Sequence, residues 1–337
     1  MADHTLPATA GKKRRWPRVL GGAGIGLVVL TAGTYLIPVG TSGTVDYRDG
    51  APPGTQFIAV GGVDIATSHT PYLGDGEADT LFVLLHGFGA SSFSWRDMAG
   101  PLSERGDVMA YDRTGFGFSE RPESWRGVNP FGSEAQCAVL SAVTNQYLRG
   151  HTSIVVVGHS AGGTLALDCV IFDESGATHL VLLAPAALSG GGPSGLGLVR
   201  WIPPLDRLGP LLVRGISDSG NDLLFDSVVN EAILTPEVLA GYRAPLTVTG
   251  WEQALWRFTQ APRREVSVEA LATIDLPTLV VTGDSDQIVA PKDSQTIAAV
   301  IPGAVFVELE DVGHLPQEED PEATIAEIDS FLSSLSG

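Results

Sequence analysis

Ser160 stands in "SIVVVGHSAGGTLALD", residues 153–168, between an apolar run and an apparent helix. A serine hydroxyl is a poor nucleophile until a base takes its proton, so this stretch does chemistry only if the chain supplies partners for it. A G-x-S-x-G string alone is weak in a chain with 41 glycines. Its setting strengthens it, because a strand, a sharp turn and a helix are what present such a hydroxyl at the end of a sheet. Small residues at Gly158, Ala161, Gly162 and Gly163 suit a strained turn with close helix packing. A helix N-cap explains the serine but not the glycines around it.

Seven histidines are available as the base. His4 precedes a long apolar segment, His69, His151 and His179 sit at the edges of strands or turns, and His86 and His159 belong to other motifs. His314, in "EDVGHLPQEEDP", follows a predicted strand at its C-terminal end, where a parallel sheet gathers reacting groups. The base needs an acid to hold its tautomer and to stabilise the imidazolium. "VVTGDSDQIVAP" offers Asp284 and Asp286 directly after the preceding predicted strand. Either aspartate also suits a turn that caps the next helix.

These residues need a scaffold, and the hydropathy pattern supplies one. "TQFIAV" and "VDIATSHTPYL" alternate around Gly61-Gly62 and read as an antiparallel hairpin. "TLFVLLHG" is an unbroken apolar run, as expected of a strand buried on both faces. Strands at "DVMAYD", "SIVVVG", "HLVLLAP", "PTLVVTGD" and "AVFVELE" then alternate with helical patterns near 93–104, 133–148, after 161, after 291 and from 321. Such alternation implies an α/β fold with a mostly parallel, helix-covered sheet. The interval from Pro185 to Pro277 holds no credible buried strand and is too long for a plain loop. Its apolar residues recur at helical spacings, so it reads as an inserted helical subdomain.

The order Ser160, aspartate, His314, each after a different strand, is that of α/β-hydrolases. The body from about residue 54 to 337 resembles the α/β-hydrolase superfamily, in its serine hydrolase and esterase branch with a helical cap domain. The resemblance implies Asp286 as the acid, since it lies three residues after Gly283 and before "QIVAP", with Asp284 as the backup. "LLHGFGASSFSW" resembles the family's oxyanion loop, which implies backbone N–H donors at Phe88 and Ala161 and a loop-shaping role for His86. "DRTGFGFSERP" resembles the family's D-x-x-G-x-G-x-S turn, making Asp112 structural. Family members that open epoxides or remove halogen use an aspartate where this chain has Ser160, so those reactions are excluded.

The implied activity is cleavage of carboxylic esters with hydrophobic acyl or aryl groups through an acyl-enzyme. Carbon–carbon bond hydrolysis of the meta-cleavage type is the alternative within hydrolases. A non-catalytic, hydrolase-like binding protein is the alternative from another class. No cofactor and no metal is expected, the acids around His314 reading as a solvated face and a helix N-terminus.

The chain carries a formal charge of −19 over 337 residues, which argues against a nucleic-acid partner. Residues 1–18 hold five cations against Asp3, a net +4, so residues 19–337 carry −23. No charged residue occurs from Val19 to Val45, and "VLGGAGIGLVVLTAGTYLI" is nearly long enough to cross a bilayer. The expected organisation is a basic cytoplasmic tail (1–18), a transmembrane signal-anchor (19–39), a linker (40–54), hydrolase core (55–185), helical cap (186–265) and the second part of the core (266–337). The basic tail keeps the N-terminus cytoplasmic and the catalytic body extracytoplasmic. Secretion after signal cleavage is the alternative, although no convincing cleavage site follows the span. Two cysteines, Cys137 and Cys169, exclude a disulfide framework and leave two outcomes open, one bridge or two buried thiols. Oligomeric state is not legible.

Overall fold

A computed structural model describes residues 34, 36–148, 150–189, 203–218 and 220–335. The sheet has eight strands: β1 Gln56–Val60, β2 Val63–Thr70, β3 Thr80–Leu85, β4 Asp107–Tyr111, β5 Ser153–His159, β6 His179–Leu183, β7 Thr278–Gly283 and β8 Val305–Leu309. Their spatial order is β1-β2-β4-β3-β5-β6-β7-β8. β1 and β2 form the expected antiparallel hairpin, β2 pairs antiparallel with β4, and all other pairs are parallel.

Helices of eight residues or more are α1 Arg96–Ser103, α2 Ser133–Tyr147, α3 Ala161–Ile171, α4 Pro203–Asp218, α5 Pro236–Arg243, α6 Trp251–Gln260, α7 Pro291–Val300 and α8 Pro321–Leu335. The unbroken apolar strands are explained by burial on both faces. In β3, Leu81, Val83 and Leu85 pack toward α2, α3 and α7, while Phe82 and Leu84 pack toward α1 and α8. β8 departs from this rule: it is the sheet edge, and Val305 is 42% exposed.

Cys137 of α2 and Cys169 of α3 form a disulfide between neighbouring helices on one face of the sheet. Closing a loop across a sequence separation of 32 residues stabilises the fold by roughly 3–4 kcal/mol through loss of unfolded-chain entropy. Reduction, or Cys137→Ala with Cys169→Ala, is therefore expected to lower the urea midpoint and the melting temperature. Equal melting curves for the oxidised protein and for protein verified as fully reduced would refute this.

Between β6 and β7 the described residues hold α4, α5 and α6 and no strand of the sheet, as the long interval predicts. α6 is amphipathic in two directions. Ala254 and Phe258 pack on Phe116 and Phe131 of the core loops, whereas Trp251 and Trp256 pack on Val213 of α4. Gly209 makes that second contact feasible, because a Cβ there would lie 2.0 Å from the Trp256 ring.

Most of the expected anchor, residues 19–39, lies outside the described residues. Among those described, no helix is long and apolar enough to cross a membrane. The segment read as a linker is tied down. Buried Glu252 of α6 accepts from Ser42 N and Oγ, each at 2.7 Å, and from Thr41 Oγ1 at 2.9 Å. Arg214 of α4 pairs with the same carboxylate at 2.8 Å, and Val45 bridges Val248. Polar groups of Thr41 and Ser42 in this segment are thus satisfied by the insertion.

Candidate active site

β5 ends at His159, and Ser160 then turns the chain sharply into α3 with φ 52° and ψ −118°. A positive φ is costly for a residue with a Cβ and persists only where surrounding contacts impose it. Here Ser160 N donates to Leu183 O at 2.9 Å, and Ala186 N donates to Ser160 O at 3.2 Å. Gly162 lets the turn sit against β3, since a Cβ there would meet Leu85 O at 2.2 Å. The Ser160 side chain caps no helical N–H. It faces a histidine instead.

His314 Nε2 lies 2.9 Å from Ser160 Oγ, and His314 Nδ1 lies 2.7 Å from Asp286 Oδ2. With Nδ1–H donating to the carboxylate, Nε2 accepts from the serine hydroxyl. All three residues are at most 8% exposed. Each follows a different parallel strand, Ser160 after β5, Asp286 after β7 and His314 after β8, so the sheet brings together residues 154 apart in sequence. Asp286 is itself fixed, its Oδ1 accepting the N–H groups of Ile288 at 2.8 Å and Val289 at 2.9 Å. Asp284 is exposed and makes no contact with His314 among the described residues.

The His314 loop is pinned from two sides. His314 N donates to Ser227 O at 2.7 Å, and Glu319 accepts from Gly313 N at 2.8 Å and from Val229 N at 2.6 Å. Glu319 thereby joins the insertion to the loop that carries the base. Nothing in the sequence singles out Glu319, because an acid in the single-turn helix Pro316–Glu319 reads as a favourable charge near a helix N-terminus and nothing more.

His159 donates from Nε2 to His314 O at 2.8 Å and is fully enclosed, and burial, with the nearby His314, pushes its pKa down to about 3. His86 is pushed down likewise, first by burial and then by Arg113. A ring kept neutral in the fold but ordinary, near 6.5, when unfolded contributes stability that is complete above 6.5. That contribution is lost as pH falls from there toward 3. Stability is expected to decline by about 1.4 kcal/mol per pH unit on account of His159. Urea midpoints at pH 7, 6 and 5 measure the slope, and His159→Gln should flatten it; an unaltered slope in that variant removes His159 as its source.

The loop after β3 is built around His86, whose Nδ1–H donates to Gly87 O at 2.8 Å and whose Nε2 accepts from Arg113 N at 3.0 Å. This matches the loop-shaping role expected of it. Asp112 is structural, its two oxygens accepting Ser92 N at 2.6 Å and Phe118 N at 2.7 Å. Ala161 is the first residue of α3, where helix geometry leaves the N–H free for a ligand. Phe88 N–H has no protein acceptor among the described residues, and the Phe88 ring rests on Phe116 and Phe258, with centroids 6.0 Å apart in each case. A cavity of about 610 Å³ opens beside the turn, lined by Ala161, Leu165, Phe131, Phe258, Arg113 and Arg263 among others.

A nucleophile, a base and an acid in hydrogen-bonded series at the C-terminal ends of parallel strands are the arrangement of a serine hydrolase. The sequence profile described as "Alpha/beta hydrolase family" matches residues 82–327, and the chain belongs to that family. It is 29% identical over 257 residues to Lipase 1 of Psychrobacter immobilis, covering 75% of this chain and 77% of the lipase. It is also 29% identical over 261 residues to 2-hydroxymuconate semialdehyde hydrolase of Pseudomonas putida, covering 74% of this chain and 86% of that enzyme. Among solved structures, a thermophilic esterase from Thermogutta terrifontis superposes with a TM-score of 0.63 at 24% identity, over 83% of this chain and 98% of the esterase.

Proposed function

We propose that the protein is a serine hydrolase that cleaves carboxylic esters with hydrophobic acyl or aryl groups. The observation that carries the proposal is the continuous Ser160, His314, Asp286 hydrogen-bond series on a strained turn. Ser160 Oγ attacks the ester carbonyl carbon while its proton passes to His314 Nε2. The Phe88 and Ala161 N–H groups receive the oxyanion, and Asp286 holds the imidazolium. Collapse of the tetrahedral intermediate breaks the bond to the leaving oxygen, which takes the proton from His314 and departs as an alcohol. Water, deprotonated by His314, then attacks the acyl-enzyme and releases the acid and a free Ser160.

Residues 186–265, of which 190–202 and 219 lie outside the described residues, are read as a cap, with Phe258 of α6 supplying apolar wall to the cavity. Carbon–carbon cleavage by the same triad is the second reading, supported by the likeness to 2-hydroxymuconate semialdehyde hydrolase. An N-terminal anchor with the body extracytoplasmic is supported by the basic tail before an uncharged apolar segment and by the disulfide, since such bonds persist in oxidising compartments.

Fluorophosphonate labelling, followed by peptide mapping and parallel assays on p-nitrophenyl esters and a meta-cleavage product, tests the chemistry. An adduct at Ser160 with turnover of the esters is expected. Turnover of the diketone alone selects the second reading, and folded protein without an adduct returns the chain to the class of binding proteins.

A further inference from the structure

Arg113 and Arg263 flank one aromatic ring in the wall of the cavity beside Ala161. The Arg113 guanidinium carbon lies 5.4 Å from the Phe258 ring centroid and 5.0 Å from that of Phe116; the Arg263 carbon lies 4.6 Å from the Phe258 centroid. Arg113 is 2% exposed. Its Nη2 donates to Gly87 O at 3.1 Å, and its Nε is buried without a protein partner among the described residues. Arg263, which is exposed, makes besides its ring contact only a long hydrogen bond to Phe258 O, at 3.5 Å, among the described residues. Neither guanidinium has a carboxylate within ion-pair reach among the described residues.

The acids of the neighbourhood are accounted for. Asp168 and Glu174 are held by Arg264 at 2.9 and 2.7 Å, and Glu265 and Glu269 line the outer wall of the cavity without pairing with either cation. Burying a guanidinium without a counter-ion is expensive, and placing a second cation on the same ring adds repulsion. Stacking on an aromatic face offsets part of this cost. A bound anion would remove the rest, and a guanidinium fork matches the oxygens of a carboxylate or a phosphate.

We propose that Arg113 and Arg263 form an anion-binding subsite next to the oxyanion donor Ala161, so that the substrate is an ester carrying a carboxylate or phosphate on its hydrophobic part. This rests on the hydrolase reading for the reaction but not for the binding. Phe258, which both cations contact, meets the hydrophobic part, and the anionic end fixes which way the ester lies across Ser160. The exposed Arg263 captures the anion at the mouth of the cavity, and Arg113 supplies the buried charge.

Binding of three probes to the full-length protein by calorimetry tests the subsite without requiring turnover. N-phenylsuccinamate carries a carboxylate, phenethyl phosphate a phosphate, and N-phenylbutanamide is the neutral match for size. At least one anionic probe is expected to bind at least tenfold more tightly than the amide, with the advantage shrinking in high salt. Whichever anion leads identifies the group. Arg263→Gln, at an exposed position that leaves the core intact, should cut that advantage at least fivefold. A preference below twofold in the parent protein, or one that survives Arg263→Gln, overturns the subsite. Failure of the hydrolase reading appears separately, as absence of the fluorophosphonate adduct at Ser160.

Discussion

Ser160→Ala is expected to lower kcat for ester hydrolysis by a factor on the order of 10⁴ to 10⁶, with a small effect on KM. The substitution removes the attacking atom and nothing that holds the turn. Ser160 enters its strained conformation through backbone bonds to Leu183 and Ala186, and these do not involve Oγ. Alanine carries the same Cβ, so the strain and the helix packing persist. What is lost is the partner 2.9 Å from His314 Nε2. The residual rate then reflects water attacking a carbonyl still polarised by the N–H groups of Phe88 and Ala161. Single-turnover and steady-state kinetics on a p-nitrophenyl ester, with circular dichroism to verify folding, measure the effect. Residual activity above about one part in a hundred would require a different nucleophile, since loss of the attacking atom otherwise costs several decades.

Asp286→Asn is expected to cost about 10⁴ in kcat while leaving the fold in place. The reason is tautomeric. Asp286 Oδ1 accepts two backbone N–H groups, so the Asn carbonyl oxygen keeps that position and turns its NH₂ toward His314 Nδ1. An NH₂ facing Nδ1 favours the ring form with its proton on Nε2, and an Nε2–H faces Ser160 as a donor when the reaction needs an acceptor. Asp284→Asn is expected to leave kcat unaltered to within a factor of about two, because an exposed carboxylate that makes no hydrogen bond to His314 among the described residues is screened by water. Comparison of the two variants across pH checks the assignment. Equal losses in both would assign the acid function to neither residue alone.

The hairpin, the buried parallel strands and the helices between them are legible because their signals are local. A strand covered on both faces must be apolar at every position, and "TLFVLL", "SIVVV" and "HLVLL" satisfy that rule without reference to the rest of the chain. The turn at Ser160 is legible for the same reason: glycines at 158 and 162 are needed within four residues of the serine wherever the strand and helix pack so closely. His314 and the pair Asp284 and Asp286 follow from their position after strands, which a parallel sheet places at one end.

The resemblance favoured Asp286 over Asp284, but position along the chain gives no physical reason for that preference. Both stand in the same turn, and only the folded backbone buries one carboxylate against His314 while leaving the other in water. The cysteines pose the same problem, since a pair of buried thiols and a disulfide have one sequence pattern, and it is the packing of α2 on α3 that brings Cys137 to Cys169. Glu252 reading Thr41 across 211 residues, Glu319 binding the insertion to the His314 loop, and two arginines on Phe258 leave no periodic trace at all.

The sequence by itself thus determined the sheet, the turn and the order of serine, aspartate and histidine after their strands, because hydropathy period and steric demand act between near neighbours. The tertiary structure alone decided which cysteine state and which cations meet at the cavity, and it supplied the physical reason for the resemblance's preference of Asp286 over Asp284. Those partners are selected by packing and desolvation between segments far apart along the chain, and only the finished fold brings such segments within hydrogen-bonding reach.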